Sequence, residues 1–284
     1  MIPLLTLLRY GSYHSYYKTG PIARMSPGEA LFWCSVPLIV LAICYLFFYL
    51  HRNEIRVMRC FDYFKPLMPS QVKLLKEFKY YQALTLPNQV KFEKRVRHFL
   101  VNKSFIAEDS PEVTEEMKML IAAACVQLTF GHRPFYLSHF KNISVYRWQA
   151  VSLEKIKNKK ALMISWTEFH DGYLSPTDGY NPGMKVLAMA LMLEERLREK
   201  SDKLFGDYAY RNWQIKSKNL AERFIQTGLT PFTNYAQVDK VEFFAVAVVY
   251  FFENPIDFNQ RFPDLFKAMK KLLGQDPLLF KYKS

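Results

Sequence analysis

The spacing of apolar and polar residues along the chain predicts a mainly helical protein. An amphipathic helix is predicted after Leu86-Pro87 by apolar residues at helical spacing, with Lys and Arg between them: Phe92, Val96, Phe99 and Leu100. A second apolar stripe, Met117 to Leu128, would begin after Ser110-Pro111 or Thr114 and end at Gly131. The same reasoning predicts helices over about 182–200, 213–227 and 262–273.

Two short segments are predicted to form strands. Residues 143–148 and 161–166 are rich in β-branched and aromatic side chains and are bracketed by polar residues, with a charged loop at 154–160 between them. The segment Phe243 to Phe252 is apolar on every side but is too short to cross a bilayer, so we expect a buried helix that ends at Pro255. The pattern therefore predicts an α+β domain, mostly α-helical, with a small sheet.

One apolar run is long enough for a membrane. Ala30 to Leu50 contains 21 residues without a charge, followed by the basic residues Arg52, Arg56, Arg59 and Lys65. At about 1.5 Å per residue, this run would span the roughly 30 Å hydrocarbon core. We expect a single-pass anchor rather than a cleaved signal peptide, with the C-terminal side in the cytoplasm.

These patterns divide the chain into five parts. We expect an N-terminal segment (1–29), a transmembrane helix (30–50), a basic juxtamembrane linker (51–70), the main domain (71–278) and a tail (279–284).

Composition narrows the possible partners. The net charge is +13, which fits nucleic acid or anionic lipid, but the basic residues form no aromatic-interleaved patch, so we do not expect nucleic acid binding. Four cysteines at 34, 44, 60 and 125 form no metal-binding pair and no disulfide framework, and Cys125 has the apolar surroundings of an inert thiol.

Common catalytic motifs are missing. The six histidines, at 14, 51, 98, 132, 139 and 170, include no pair at the i, i+4 spacing that holds zinc on a helix. There is no nucleophile elbow, and no glycine-rich phosphate or dinucleotide motif. From these residues alone, no active site is visible.

The order of several short motifs nevertheless resembles a known family. The motifs are Tyr80-Tyr81, Gln89-x-x-Phe92-x-x-Arg95-Val96-x-x-Phe99, Gln127 to Gly131, Ile164-Ser-Trp166-x-x-Phe169, Gly179-x-Asn181, Val241 to Ala247, Phe251-Phe-Glu-x-Pro255 and Gln275-Asp-Pro277. Over about residues 71–278 they resemble the Mlc titration factor A (MtfA-like) zinc peptidases, in particular membrane-anchored bacterial members. The resemblance implies a zincin-like, gluzincin-type fold and a place in the bacterial inner membrane.

The resemblance also implies where zinc chemistry would lie. In that family the helix after Asn-x-Gly carries HExxH, which supplies two zinc ligands and the Glu that polarises water, while the Glu of EFFAV is a further ligand. Here Lys185 and Met189 fall at the histidine positions and Val186 at the Glu position, whereas Glu242 matches the further ligand and Val249 stands where the family often has another acidic residue. A register shifted by three residues places Ala188, Met189 and Met192 at these positions instead.

The resemblance thus predicts the family fold without its catalytic residues. We expect no zinc, no other cofactor, and a catalytically inactive homologue that binds another protein. Two alternatives stay open: an active zinc peptidase with other ligands, and a module that binds anionic membranes through the linker. Lys185 is further predicted to replace the metal by pairing with Glu242, or else to extend to solvent while Glu242 bonds backbone.

Overall fold

The computed structural model describes residues 27–52, 65–133, 137–148, 154, 156, 161–174, 181–227 and 239–280. The chain divides into two compact units, Met1–Val57 and Met58–Ser284. In the first unit, helix α1 spans Pro27–Arg52. Among the described residues, no helix combines the length and hydropathy needed to cross a membrane. The helix predicted at 30–50 is confirmed, and the membrane span predicted within it is not.

The second unit contains ten further α-helices and three strands among its described residues. In chain order they are α2 (Pro69–Glu77), α3 (Lys79–Gln82), α4 (Leu86–Asn102), β1 (Ser104–Ala107), α5 (Glu115–Thr129), β2 (Asn142–Tyr146), β3 (Leu162–Ser165), α6 (Trp166–Leu174), α7 (Pro182–Leu197), α8 (Asp207–Thr227), α9 (Lys240–Glu253), α10 (Pro255–Arg261) and α11 (Pro263–Leu273). Two 3₁₀ turns lie at Lys200–Asp202 and Pro277–Leu279. The mostly helical α+β class is confirmed.

The sheet is parallel throughout, in the order β1-β2-β3. Its register pairs Phe105 with Ile143 and Ile143 with Leu162, so these side chains share one face, which packs into the hydrophobic core. The prediction of strands β2 and β3 is confirmed, whereas β1 was not predicted. The predicted charged loop at 154–160 lies outside the described residues, apart from Glu154 and the buried Ile156.

Local sequence signals account for the helix ends. Thr114 rather than Ser110 caps α5, since its hydroxyl accepts a hydrogen bond from the Met117 amide at 3.3 Å. Gly274 ends α11 in the left-handed conformation, with φ of 62°, as the glycine after a helix commonly does. The predicted helices are confirmed, with α8 starting earlier than residue 213.

The all-apolar segment forms the centre of the unit. Helix α9 is buried along its length and packs most extensively against α7. Phe244 and Phe251 of α9 are fully buried, as are Phe92 and Phe99 of α4 and Phe258 of α10. The prediction of a buried core helix is therefore confirmed, and α7, the helix on which the resemblance places HExxH, packs against it.

Candidate functional site

The start of α7 is held by one asparagine that touches three elements. Asn181 accepts a hydrogen bond from the Met184 amide at 2.8 Å and so caps α7. Its Nδ2 donates to the carbonyl of Gly172 in α6 and to Oε1 of Glu253 at the end of α9, both at 3.0 Å. These bonds fix the position of α7 relative to α6 and α9.

Gly183 allows α6 to approach α7 closely. A Cβ at this position would lie 2.4 Å from Cδ2 of Phe169, which is too close for any residue that has a side chain. The Asn-x-Gly signal in the sequence thus has two local causes, a helix cap and a close helix contact.

The contact between Asn181 and Glu253 sets the alignment of α7 and α9. It joins the start of one helix to the end of the other, and the two pack along their lengths, so they run antiparallel. At about 1.5 Å per residue, Lys185 and Val249 each lie about 6 Å along their helices from this contact. Val249 is therefore level with Lys185, whereas Glu242, about 16 Å from the contact, is level with Met192.

The two possible alignments of the HExxH positions on α7 therefore correspond to different residues of α9 as the further ligand. In the register with Lys185 and Met189 in the histidine positions, Val249 of α9 is level with Lys185. In the shifted register with Ala188 and Met192, Glu242 of α9 is level with Met192. The sequence resemblance combined Lys185 with Glu242, and the antiparallel packing separates these two residues by about 10 Å along the helix axes.

Most of these positions belong to the core. Val186, Met189 and Val249 are 6%, 2% and 3% exposed. Ala188 and Met192 of the shifted register are equally buried, while Lys185 and Glu242 are half-buried. We call Lys185, Val186, Met189 and Val249 the motif positions.

The predicted pair of Lys185 with Glu242 is not among the ion pairs formed by the described residues. Lys185 has interactions of its own. The substitution of the metal by this pair stays a prediction, which the offset along the helices disfavours.

The motif positions do not fit zinc. Zinc in proteins takes thiolate, imidazole and carboxylate ligands, and a catalytic site needs three of them. Valine has no donor atom, a thioether suits softer metals, and a charged ammonium cannot coordinate. The shifted register adds one carboxylate, Glu242, which leaves it two ligands short. In the part of the chain that the structure describes, no group of three His, Cys, Asp or Glu residues is placed to hold a metal.

A charged cluster, which we did not predict, lies at the opposite end of α7. Glu194 is completely buried and accepts hydrogen bonds at 2.6–3.0 Å from five donors: the Ser138 amide and hydroxyl, the His139 amide and Nδ1, and Nε of Arg198. Arg198 also bonds the carboxylate of Asp202 at 3.0 Å. We call Glu194, Ser138, His139, Arg198 and Asp202 the Glu194 cluster.

The cluster keeps Glu194 ionised despite its burial. Burial alone would raise the pKa of Glu194, but the hydrogen bonds from Ser138 and His139, with the charge of His139, lower it below its usual value. A sequence signal existed, since Glu194 interrupts an apolar stripe and Arg198 follows at i+4. The cluster anchors the 137–140 turn to α7.

Two further ionisable groups lie near this turn. The ammonium of Lys103 donates to the carbonyls of Leu137 and Phe140. Burial lowers the pKa of Lys103 to about 8 and raises that of Cys125 to about 12. Cys125 is a free, buried thiol, as predicted, and such a high pKa leaves almost no thiolate at neutral pH.

Comparison with known proteins identifies the family of this chain. The model of the glucose-regulated metallo-peptidase M90 family matches residues 63–173 and 147–273, which together cover most of the chain. The chain belongs to this family. It is also 23% identical over 261 residues to an uncharacterized protein of Synechocystis sp., slr2042, a match that covers 84% of this chain and 94% of that protein. The MtfA-like resemblance of the sequence is confirmed.

Proposed function

We propose that this chain is a catalytically inactive member of the M90 family, with a zincin-type domain that acts by binding a protein partner. The observation that carries the proposal is the composition of the motif positions. Lys185, Val186, Met189 and Val249 offer no zinc ligand, and three of them are packed into the hydrophobic core. A residue packed in the core cannot activate a water molecule for attack on a substrate. A domain that lacks catalytic residues still has a surface with which it can bind a partner.

The decisive experiment measures metal and activity on the same sample. Full-length protein is dialysed against zinc, freed of loose metal, and assayed for bound zinc and for cleavage of unfolded casein. We expect well below one zinc per chain and no chelator-sensitive cleavage. One tightly held zinc per chain with cleavage abolished by chelator would establish the alternative, an active peptidase with other ligands.

A pair of variants tests whether the site has been located correctly. Lys185→His with Met189→His and Val249→Glu supplies three ligands, whereas Lys185→His with Met189→His alone supplies two. Cobalt absorption reports tetrahedral coordination, so we expect the triple variant to bind cobalt more tightly than the double variant. If Ala188→His with Met192→His, which relies on native Glu242, binds more tightly than the triple variant, the shifted register is correct.

We further propose that residues 30–50 anchor the chain in the bacterial inner membrane, with the main domain in the cytoplasm. The support is the uncharged 21-residue sequence, and large apolar side chains such as Leu38, Leu41 and Leu46 that are exposed on α1. Fractionation of cells tests this. We expect the chain in the membrane fraction after washes with salt and alkaline carbonate, and release by salt alone would instead favour electrostatic binding to anionic lipid.

A further inference from the structure

A cavity of about 460 Å³ lies in the main domain, formed by α3, the start of α4, the end of α5 and the segment after α11. Its lining includes Tyr80, Lys91, Phe130, Gln275, Asp276 and Phe280. Several of these residues belong to the motifs that carried the family resemblance, but none belongs to the motif positions or to the Glu194 cluster. The volume is in the range typical of small-molecule sites, about 300–1,000 Å³.

The walls of this cavity are held by directional contacts. The Tyr80 hydroxyl donates to Oε1 of Gln275 at 2.6 Å, and Nε2 of Gln275 donates to the Gln127 carbonyl at 2.8 Å. Gly131 crosses so near α11 that a Cβ there would lie 2.1 Å from the Leu273 carbonyl oxygen. The cavity is therefore a formed feature of the fold rather than a gap between mobile side chains.

One side of the cavity is aromatic and cationic. The ring of Phe130 has the ammonium of Lys91 at 4.7 Å and the guanidinium of Arg95 at 5.4 Å from its centroid. Arg95 is buried and uses its donors on the carbonyls of Thr129, Phe130 and His132. Lys91 is exposed to the cavity and has no carboxylate partner among the described residues.

The balance of charge around the cavity favours an anion. Desolvation and the positive charge of Arg95 both lower the pKa of Lys91, so a nearby negative charge would stabilise its ammonium. The one carboxylate in the lining, Asp276, is already paired with Lys270 and accepts the Leu278 amide at 3.2 Å. Lys91 is thus the charged side chain of the lining that has no compensating partner among the described residues.

We propose that this cavity binds a small organic acid, with its carboxylate on Lys91 and its apolar part against the ring of Phe130. The site is independent of the proposed loss of peptidase activity. A cation would meet uncompensated positive charge here, and a neutral apolar compound would leave the Lys91 ammonium without a partner. Leu84 and Phe280 complete the apolar surface for the body of the acid.

The probes are 3-phenylpropionate and its neutral analogue 3-phenylpropionamide, titrated into the full-length protein by ligand-detected NMR and calorimetry. We expect saturable binding of the acid and at least about tenfold weaker binding of the amide, because a charged hydrogen bond is lost. Absence of saturable acid binding, or equal affinity for the two probes, would overturn the proposal.

Variants locate the site. Lys91→Gln should reduce acid affinity to the level of the amide, and Lys91→Arg should retain it. The matched control is Lys94→Gln, an exposed lysine on the same helix, which should bind as the natural chain does. Ala83→Leu, which adds three carbons to the cavity lining, should weaken both probes. Unchanged binding by Lys91→Gln, or by Ala83→Leu, would show that the acid binds elsewhere.

Discussion

The two ends of α7 differ in the kind of side chain that they bury. Towards its start, where relatives of this family are expected to place zinc ligands and a catalytic Glu, Val186 and Met189 are packed in the core. At its end, Glu194 is fully buried and retains its charge, because five donors surround it. The fully buried charge of Glu194 is thus kept where the fold supplies hydrogen bonds to it, whereas Val186 and Met189 are buried without any charge to compensate.

The largest expected effect is at the charged end. Glu194→Gln keeps the shape of the side chain but leaves the Arg198 guanidinium without its buried counter-ion, which typically costs about 3–5 kcal/mol. Urea unfolding of this variant measures the loss. Glu199→Gln, an exposed acid on the same segment, should change the free energy of unfolding by less than about 0.5 kcal/mol. Equal losses in the two variants would mean that the cluster is not a stabilising feature.

A somewhat smaller effect is expected at the apolar end. Met189→Ala removes a fully packed side chain and should cost about 3 kcal/mol through lost burial and the cavity left behind. If the start of α7 were instead an open site awaiting a metal, truncation there would cost little. Unfolding in urea distinguishes the two cases, with Met68→Ala, an exposed methionine, as the control that should lose little.

Sequence patterns predicted one end of α7 better than the other. Helical periodicity and the Asn-x-Gly signal identify the helix, its start and the family, because those causes are local. Ser138 and His139, which supply four of the five donors to Glu194, lie 56 and 55 residues away in a turn that no periodic pattern marks.

Two other features depend on long-range packing in the same way. The alignment that places Val249 rather than Glu242 level with Lys185 follows from a contact between residues 72 positions apart. Strand β1 begins two residues after the end of α4 and has no fully buried side chain, unlike the equally short β3, so it is defined by its pairing with β2.

The buried Lys103 beside the charged end gives a pH dependence. Its pKa is about 8 in the folded chain and about 10.5 when unfolded, so the unfolded state binds more protons between these values and stability rises with pH. The test compares two proteins that both carry Cys125→Ala, which removes the coupled thiol: one keeps Lys103 and the other has Lys103→Met. Between pH 7.5 and 9.5, the free energy of unfolding of the protein with Lys103 should rise by about 1–2 kcal/mol relative to that of the protein with Lys103→Met. A flat difference across this range would show that Lys103 is solvated.

The smallest effect is expected from the pair predicted to replace the metal. Lys185 and Glu242 are half-buried and are offset by about 10 Å along antiparallel helices, so removing either charge should cost no more than about 1 kcal/mol. Because residues that do not touch contribute independently, Lys185→Met and Glu242→Gln should be additive within about 0.5 kcal/mol in the double variant. Urea unfolding of the two single variants and the double variant measures this. A coupling energy of 2 kcal/mol or more, on the order of that seen for neighbouring charges, would instead show that the two side chains meet and that a salt bridge occupies the place of the metal.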